Sequence, residues 1–212
     1  METNHVIVYC GEHLSLGLMQ REYVPLMMSG VNDLEVTRGI LLRPPIATAT
    51  EYEWIEELAK KQNEQVFAIL LHEPNSTYRY IGHTGLHQIT WPDGFAKTGS
   101  VILDRGAHGK GYGTEAKLLL LYHAFFVKGL RKVTSDVKAF NGHSLGHLIK
   151  CGYQIVGRHK NHHFDQGTYV DSIMLEVFRS DFEPIWRKYQ ESKTLPRLTP
   201  EQKKLMHIEL AL

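Results

Sequence analysis

The stretch that most constrains this chain runs Arg105-Gly106-Ala107-His108-Gly109-Lys110-Gly111-Tyr112-Gly113-Thr114-Glu115-Ala116, between a β-prone apolar run and a long apolar helical one. Glycines at 106, 109, 111 and 113 allow positive φ and leave the backbone N–H groups unshielded by side chains. A helix N-terminus follows at once, with unpaired amides and the positive end of its dipole. Strand, glycine loop and helix in series therefore form a cradle for a phosphate or pyrophosphate.

Spacing decides which cradle. Asp104 stands where a Walker A loop needs its first glycine, and Gly111 follows Lys110 where that loop needs Ser or Thr. The dinucleotide fingerprint G-x-G-x-x-G also fails, because Gly109, Gly111 and Gly113 are spaced by two and no first βαβ unit precedes them. What remains, x-x-G-x-G in a strand-to-helix turn, resembles the acyl-CoA motif of the GNAT-type N-acetyltransferases. His108 stands where that family has Gln or Arg. Asn141-Gly142-His143-Ser144 and Lys150-Cys151-Gly152-Tyr153 resemble the family's second motif, and Gly11 to Leu18 a family-like start. Within the family the chain most resembles the ribosomal-protein and antibiotic acetyltransferase branch, which has Ser at the Ser144 position.

The resemblance implies acetyl-CoA as cosubstrate. It implies a pyrophosphate held by His108, Gly109, Lys110, Gly111, Tyr112, Gly113 and Thr114, with Asn141 and Lys150 contributing from the second motif. The pantetheine arm would enter a gap between the strand ending at Asp104 and the strand ending at Phe140, against the backbone of Ile102, Leu103 and Asp104. One N–H there would polarise the thioester carbonyl. Asn141 and Ser144 are the implied catalytic residues, Asn141 for a pantetheine amide or the incoming amine and Ser144 as the acid at the departing thiolate. Many relatives place a Tyr where this chain has Leu148. That absence and His108 keep a second reading open, a non-catalytic acyl-CoA sensor or partner-binding module. No base is marked; Asp104, His83, His87 and Asp171 are candidates by rough placement. The acceptor under the first reading is a primary amine: a protein N-terminus, a polyamine or a small amine such as an antibiotic.

Composition supports one core and excludes other classes. The 212 residues are 42% hydrophobic and 22% charged, an ordinary globular proportion. A net charge of +1 without a block of like charges gives no support for nucleic acid or a membrane surface. The longest apolar stretch, Leu118 to Val127, is interrupted by His123 and too short to span a bilayer, and no signal core stands at the N-terminus. Two cysteines, Cys10 and Cys151, lie far apart without CxxC spacing, which suits a reducing cytoplasm. His159, His162 and His163 lack H-E-x-x-H or Cys partners, so no metal is expected.

The expected fold is α/β in composition (α+β by segregation): a mixed, mostly antiparallel central sheet of about seven strands flanked by helices, with extra C-terminal helices. Leu14, Leu16 and Leu18 alternate in a first strand. Arg21 to Met28 forms a short helix, and Leu41 to Ala47 is extended or turned around Pro44-Pro45. Thr48 with Glu51, or Thr50 with Glu53, makes a capping box for a helix through Leu58. Gln65 to His72, Tyr78 to Ile89 and Ala96 to Asp104 are three consecutive strands, the helix runs from about Gly111 to Val127, and Lys132 to Phe140 returns beside the strand before it. A second helix, Gly142 to Lys150, precedes two strands around a His-rich loop, Arg158 to Gly167. Residues 1–182 are expected to be the acetyltransferase domain, and 183–212 a helical extension with a cap at Thr199-Pro200-Glu201. Leu205, Met206, Ile208 and Leu210 should dock this tail on its own chain or on a second copy in a homodimer.

Overall fold

Alternating side chains at the N-terminus build a hairpin: β1 (Ile7–Cys10) pairs antiparallel with β2 (Leu14–Leu18) in the computed structural model, which describes residues 4–40 and 44–211. β2 is the expected first strand, and β1 is an addition. Its four residues are too short a signal alone, and it is pinned from outside the strand. Neutral His123 accepts the Tyr9 hydroxyl at Nδ1 (2.6 Å) and donates Nε2–H to Gln65 Oε1 (2.7 Å). With β3 (Gln65–Glu73), β4 (Thr77–Thr90), β5 (Phe95–Ile102), β6 (Lys132–Lys138), β7 (Gln154–Asp165) and β8 (Thr168–Phe178), the sheet has eight strands rather than about seven. Their order is β1-β2-β3-β4-β5-β6-β8-β7, and every neighbouring pair is antiparallel except β5 and β6.

Period-two alternation splits the buried residues between two faces. Ala68, Leu70, Tyr80, Val101 and Leu103 meet Tyr23, Val24, Met27 and Val31 on the face covered by α1 (Val24–Val31), α2 (Leu34–Thr37) and α3 (Thr48–Leu58). Leu16, Ile69, Leu86, Val133 and Leu175 meet α4 (Tyr112–Tyr122), α5 (Gly142–Lys150) and α6 (Arg179–Ser192) on the other. α6 contributes Phe182, Trp186 and Tyr189, with the Trp186 ring stacked 4.8 Å from that of Tyr122. α7 (Pro200–Ala211) crosses α5. Its cap is reciprocal, Thr199 Oγ1 accepting from Gln202 N (3.2 Å) and Gln202 Oε1 from Thr199 N (2.9 Å).

Three local expectations are corrected. α3 is capped at Ala47 with no side-chain bond, because Thr48 and Thr50 already lie inside the helix; Glu51 instead turns inward and is 7% exposed. The His-rich segment is strand rather than loop. Asp171 accepts from Arg158 Nε (2.6 Å) and Asn161 N (2.8 Å), holding a bulge after which pairing with β8 resumes at His163. The helix expected through Val127 ends its α-turns at Tyr122, and His123–Val127 continue as a wider π-turn. Of the extended segment around Pro44-Pro45, residues 41–43 lie outside the described residues, and 45–47 carry no helix or strand.

Candidate active site

β5 and β6 are neighbours for only three residues, Phe95 to Lys97 opposite Lys132 to Thr134. Beyond that the strands part, β5 continuing to Ile102 and β6 to Lys138, and a cavity of about 400 Å³ fills the gap. This is the expected opening, and it passes through the sheet. Gly39, Ile40, Trp54, His83, Lys97 and Asp136 line it on the α1–α3 face. Lys117, Ser144, His147 and Leu148 line it on the α4–α5 face, with Thr98 and Ser135 between.

The glycine loop stands at the far end of β5. The Asp104 carboxylate accepts from Gly106 N (2.8 Å) and pairs with Arg79, which holds it below the usual carboxylate range. Gly109 (φ 73°) and Gly111 (φ 89°) are left-handed, and Gly111 caps α4 with no side chain. An added Cβ at Gly109 or Gly113 would meet nothing within 4 Å, so open space faces the first amides of α4. These residues fit a pyrophosphate. Lys110 is exposed beside them, and the Tyr112 ring packs 6.4 Å from His13.

Other expected contacts are differently engaged. His108 Nε2 lies 2.8 Å from the Ile102 carbonyl oxygen, so the ring folds back on β5. The N–H groups of Leu103 and Asp104 both donate to Ile81 O, at 2.7 and 3.2 Å. Thr114 is buried, with Cys151 Sγ 3.7 Å from its carbonyl oxygen. Asn141 caps α5, accepting from Ser144 N (3.0 Å) while its Nδ2 donates to Gly39 O (3.1 Å). Asn141 and Lys150 sit at opposite ends of α5, and neither lines the cavity, whereas Ser144 does.

Among the four candidate bases the structure discriminates. Asp104 is tied to Arg79, Asp171 to Arg158, and His87 Nδ1 lies 2.6 Å from Glu64 Oε1. His83 faces the cavity beside Trp54 (rings 5.2 Å apart), its Nδ1 3.0 Å from the Tyr80 hydroxyl. Burial pushes its pKa down to about 4, so the ring is neutral. Gly82 makes this possible: the β3–β4 register shifts here, bringing Tyr80 and His83 to one face, and an added Cβ would run into the Val101 carbonyl.

Lys117 was not singled out by the sequence, where it sits in an apolar helical run. It is 1% exposed, lines the cavity, and has no hydrogen-bond or ion-pair partner among the described residues. Burial pushes its pKa down to about 7. His147 is likewise pushed down to about 3 by burial and by the Lys117 charge, and its Nε2 is buried without a partner. Among the described residues no group of three or more His, Cys, Asp or Glu is placed to hold a metal ion, and no helix is long and apolar enough to cross a membrane.

The comparisons agree with this geometry. An SPbeta prophage-derived uncharacterized N-acetyltransferase of Bacillus subtilis (strain 168) is 27% identical over 183 residues, 84% of this chain and 97% of that protein. An uncharacterized N-acetyltransferase of Bacillus licheniformis is 25% identical over 174 residues, 81% of this chain and 96% of its own length. The crystal structure of a spermidine N-acetyltransferase from Vibrio cholerae in complex with CoA and spermine superposes with a TM-score of 0.74 at 18% identity, covering 81% of this chain and 98% of that one, which is a likeness of fold. The profile of the acetyltransferase (GNAT) domain matches residues 13–154, most of the chain, including β4, β5 and β6 around the cavity, so this protein is a member of the GNAT family and an N-acetyltransferase.

Proposed function

We propose that this N-acetyltransferase moves an acetyl group from acetyl-CoA to a primary amine by direct attack in a ternary complex, in the cytoplasm. The observation that carries the reading is the cavity through the β5–β6 opening, with His83 on one face of the sheet and Ser144 on the other. Bound acetyl-CoA supplies a thioester carbonyl that the acceptor nitrogen attacks. The amides at Gly109 to Gly113 hold the pyrophosphate, and Lys110, Tyr112 and Lys150 border that region. Neutral His83, steadied by Tyr80, takes the proton the acceptor nitrogen loses. Ser144 passes a proton toward the departing sulfur. The Ser at 144 is also what favours the ribosomal-protein and antibiotic branch. Residues 1–182 carry this machinery, and 183–212 extend it.

The acceptor class follows from charge. A polyamine has the support of the Vibrio cholerae likeness. Yet the cavity is lined by three lysines against one carboxylate, Asp136, which already pairs with Lys97, while burial keeps His83 and His147 neutral. A polycation entering such walls meets repulsion and no free anion. This favours an acceptor with a single amine, a peptide N-terminus or a small monoamine.

The test is release of CoA from acetyl-CoA with matched acceptors: spermidine, a simple alkylamine and short peptides with free N-termini. Turnover of the monoamines or peptides above spermidine supports the reading. Faster turnover of spermidine overturns the charge argument. Tight acetyl-CoA binding without turnover on any acceptor points to an idle site.

A further inference from the structure

Lys117 is the one lysine lining the cavity for which the described residues offer no acceptor; Lys97 pairs with Asp136, and Lys138 donates to Arg38 O. The elements around it carry no counter-charge. From α5 and the turn after it come His147, held neutral by burial, and the Cys151 thiol, pushed up to about 12 by burial, with cationic Lys150 beyond. Tyr153, raised by burial, bonds Thr98 Oγ1 at 2.9 Å and stays neutral. The sheet contributes Thr98 and Ser135, which do not ionise, on this face; across the opening Asp136 is paired with Lys97 and His87 with Glu64, and burial lowers the pKa values of His83 and His163. On α4 itself Glu115 is committed elsewhere, accepting from His13 N (3.1 Å) and the Tyr189 hydroxyl (2.6 Å).

A buried ammonium without an anion is unfavourable unless a ligand brings the charge. An unpartnered donor, Lys117 Nζ, and beside it the unpartnered Nε2 of neutral His147 thus line one end of a cavity where negative charge would develop in acetyl transfer. We infer that Lys117, backed by His147, is the catalytic group that stabilises the departing CoA sulfur as thiolate and then gives it a proton. The bookkeeping closes. As the nitrogen–carbon bond forms and the carbon–sulfur bond breaks, the bonding pair stays on sulfur. Lys117 supplies the proton that makes the thiol, directly or through the Ser144 hydroxyl. His83 holds the proton lost by the acceptor, and both residues return to their resting states by exchange with solvent. Ser144 alone can relay a proton but, as an unionised hydroxyl, is a poor source of one.

The inference rests on the acetyl-CoA reading of the site, and its test needs no acceptor. Affinities of CoA and of an analogue with hydrogen in place of the thiol are compared by calorimetry between about pH 6 and 9, and the bound thiol is titrated by its thiolate absorbance. A free thiol of this kind ionises near pH 8.5. The native protein should prefer CoA over the analogue by about tenfold between about pH 7 and 8.5, where Lys117 and the thiol share one proton as an ammonium–thiolate pair, and by less on either side, where both groups are protonated or both deprotonated. Lys117→Met should remove the preference and change analogue affinity less than about twofold, while Lys117→Arg should keep part of it. The native comparison stands even if a variant fails to fold. Equal native affinities, or a preference that survives Lys117→Met, would overturn the inference and leave the cofactor reading intact. A protein that binds neither ligand would remove both.

Discussion

The Tyr80 hydroxyl lies 3.0 Å from His83 Nδ1, on one face of β4, although they are three positions apart and an unbroken strand would place them on opposite faces. Tyr80 is 6% exposed and burial raises its pKa well above the usual value, so it remains a hydroxyl able to donate. A donor at Nδ1 leaves the proton on Nε2 in the resting ring, so accepting a substrate proton at Nε2 requires the other tautomer, with the ring proton on Nδ1 and the Tyr80 hydroxyl turned to accept from it.

His83→Ala should therefore lower kcat/KM about 100-fold for the best acceptor, within the range of a lost general base. Tyr80→Phe should lower it less and leave acetyl-CoA affinity unchanged. With a pKa of about 4, His83 stays neutral above about pH 5, so any acid limb at higher pH belongs to the acceptor amine. An acid limb that vanishes in His83→Ala would contradict this assignment.

At the other end of the opening, Gly113 allows a clean test of the cradle. An added side chain there has open space, so Gly113→Asp should leave thermal stability within a degree or two. Its carboxylate would stand against phosphate, and acetyl-CoA affinity should fall at least 100-fold by calorimetry. Gly111→Asp is less clean, because Gly111 has φ 89° and a Cβ would press on Leu195 at 2.7 Å.

These two ends differ in how they appear in the sequence. The cradle is a local pattern, four glycines between a strand and a helix, and the structure adds only which of them are left-handed. The opening was expected only through the family resemblance, between the strands ending at Asp104 and Phe140, and Ser144 of the second motif falls on the helix after β6. Lys117 was not legible, because a lysine in an apolar run ordinarily extends to solvent, and only the parting of β5 from β6 gives it a cavity to face. Similarly, β1 and the full length of β7 depend on distant partners, His123 for one and Asp171 for the other, which no local window contains.

His123 predicts acid sensitivity. Its pKa is pushed down to about 4 by burial and the Lys128 charge, while the unfolded chain would titrate near 6.5. Below about pH 6.5 the unfolded state binds the proton first, so stability is full above that pH and is lost as pH falls toward 4. At 5% exposure this residue alone is worth on the order of 3 kcal/mol across that window. Denaturant midpoints should fall steeply from pH 6.5 to 4. His123→Phe, with lower stability at pH 7, should show a shallower fall; parallel curves would sink the explanation.

Lys117 extends the same trend above neutrality. Its folded pKa of about 7 lies below the usual lysine value of 10.5, so between these the unfolded state holds the extra proton and stability rises with pH. Lys117→Met keeps the length of the side chain and removes the buried charge. It should raise stability at pH 7 by about 2 kcal/mol, the gain expected when an unpaired buried charge is replaced by an apolar group of similar size. The gain should shrink as pH approaches 10. A stability loss at pH 7 would mean that the ammonium has a structural partner.

The tail gives the last prediction. Leu195 lies against Gly111, Leu198 and Met206 against Gly146, and Leu210 against Gly142, so the apolar side chains of residues 195–210 occupy positions left open by glycines of the cradle and of α5. Arg158 Nη1 donates to the Glu209 carbonyl at 2.6 Å, fixing the far end of α7 to β7. A tail held at both ends should resist proteolysis at native concentration, with cleavage after Lys203 or Lys204 slower than in an unfolded control by about the factor that local opening imposes. Leu195→Asp would set a carboxylate beside the cradle and release the segment before α7, so cleavage should quicken while α5 and the sheet remain intact. Protection that is lost on dilution would show that the tail docks on a second copy, and protection independent of concentration that it docks on its own chain. Rapid cleavage of the native tail at every concentration would mean that these glycine contacts do not hold in solution.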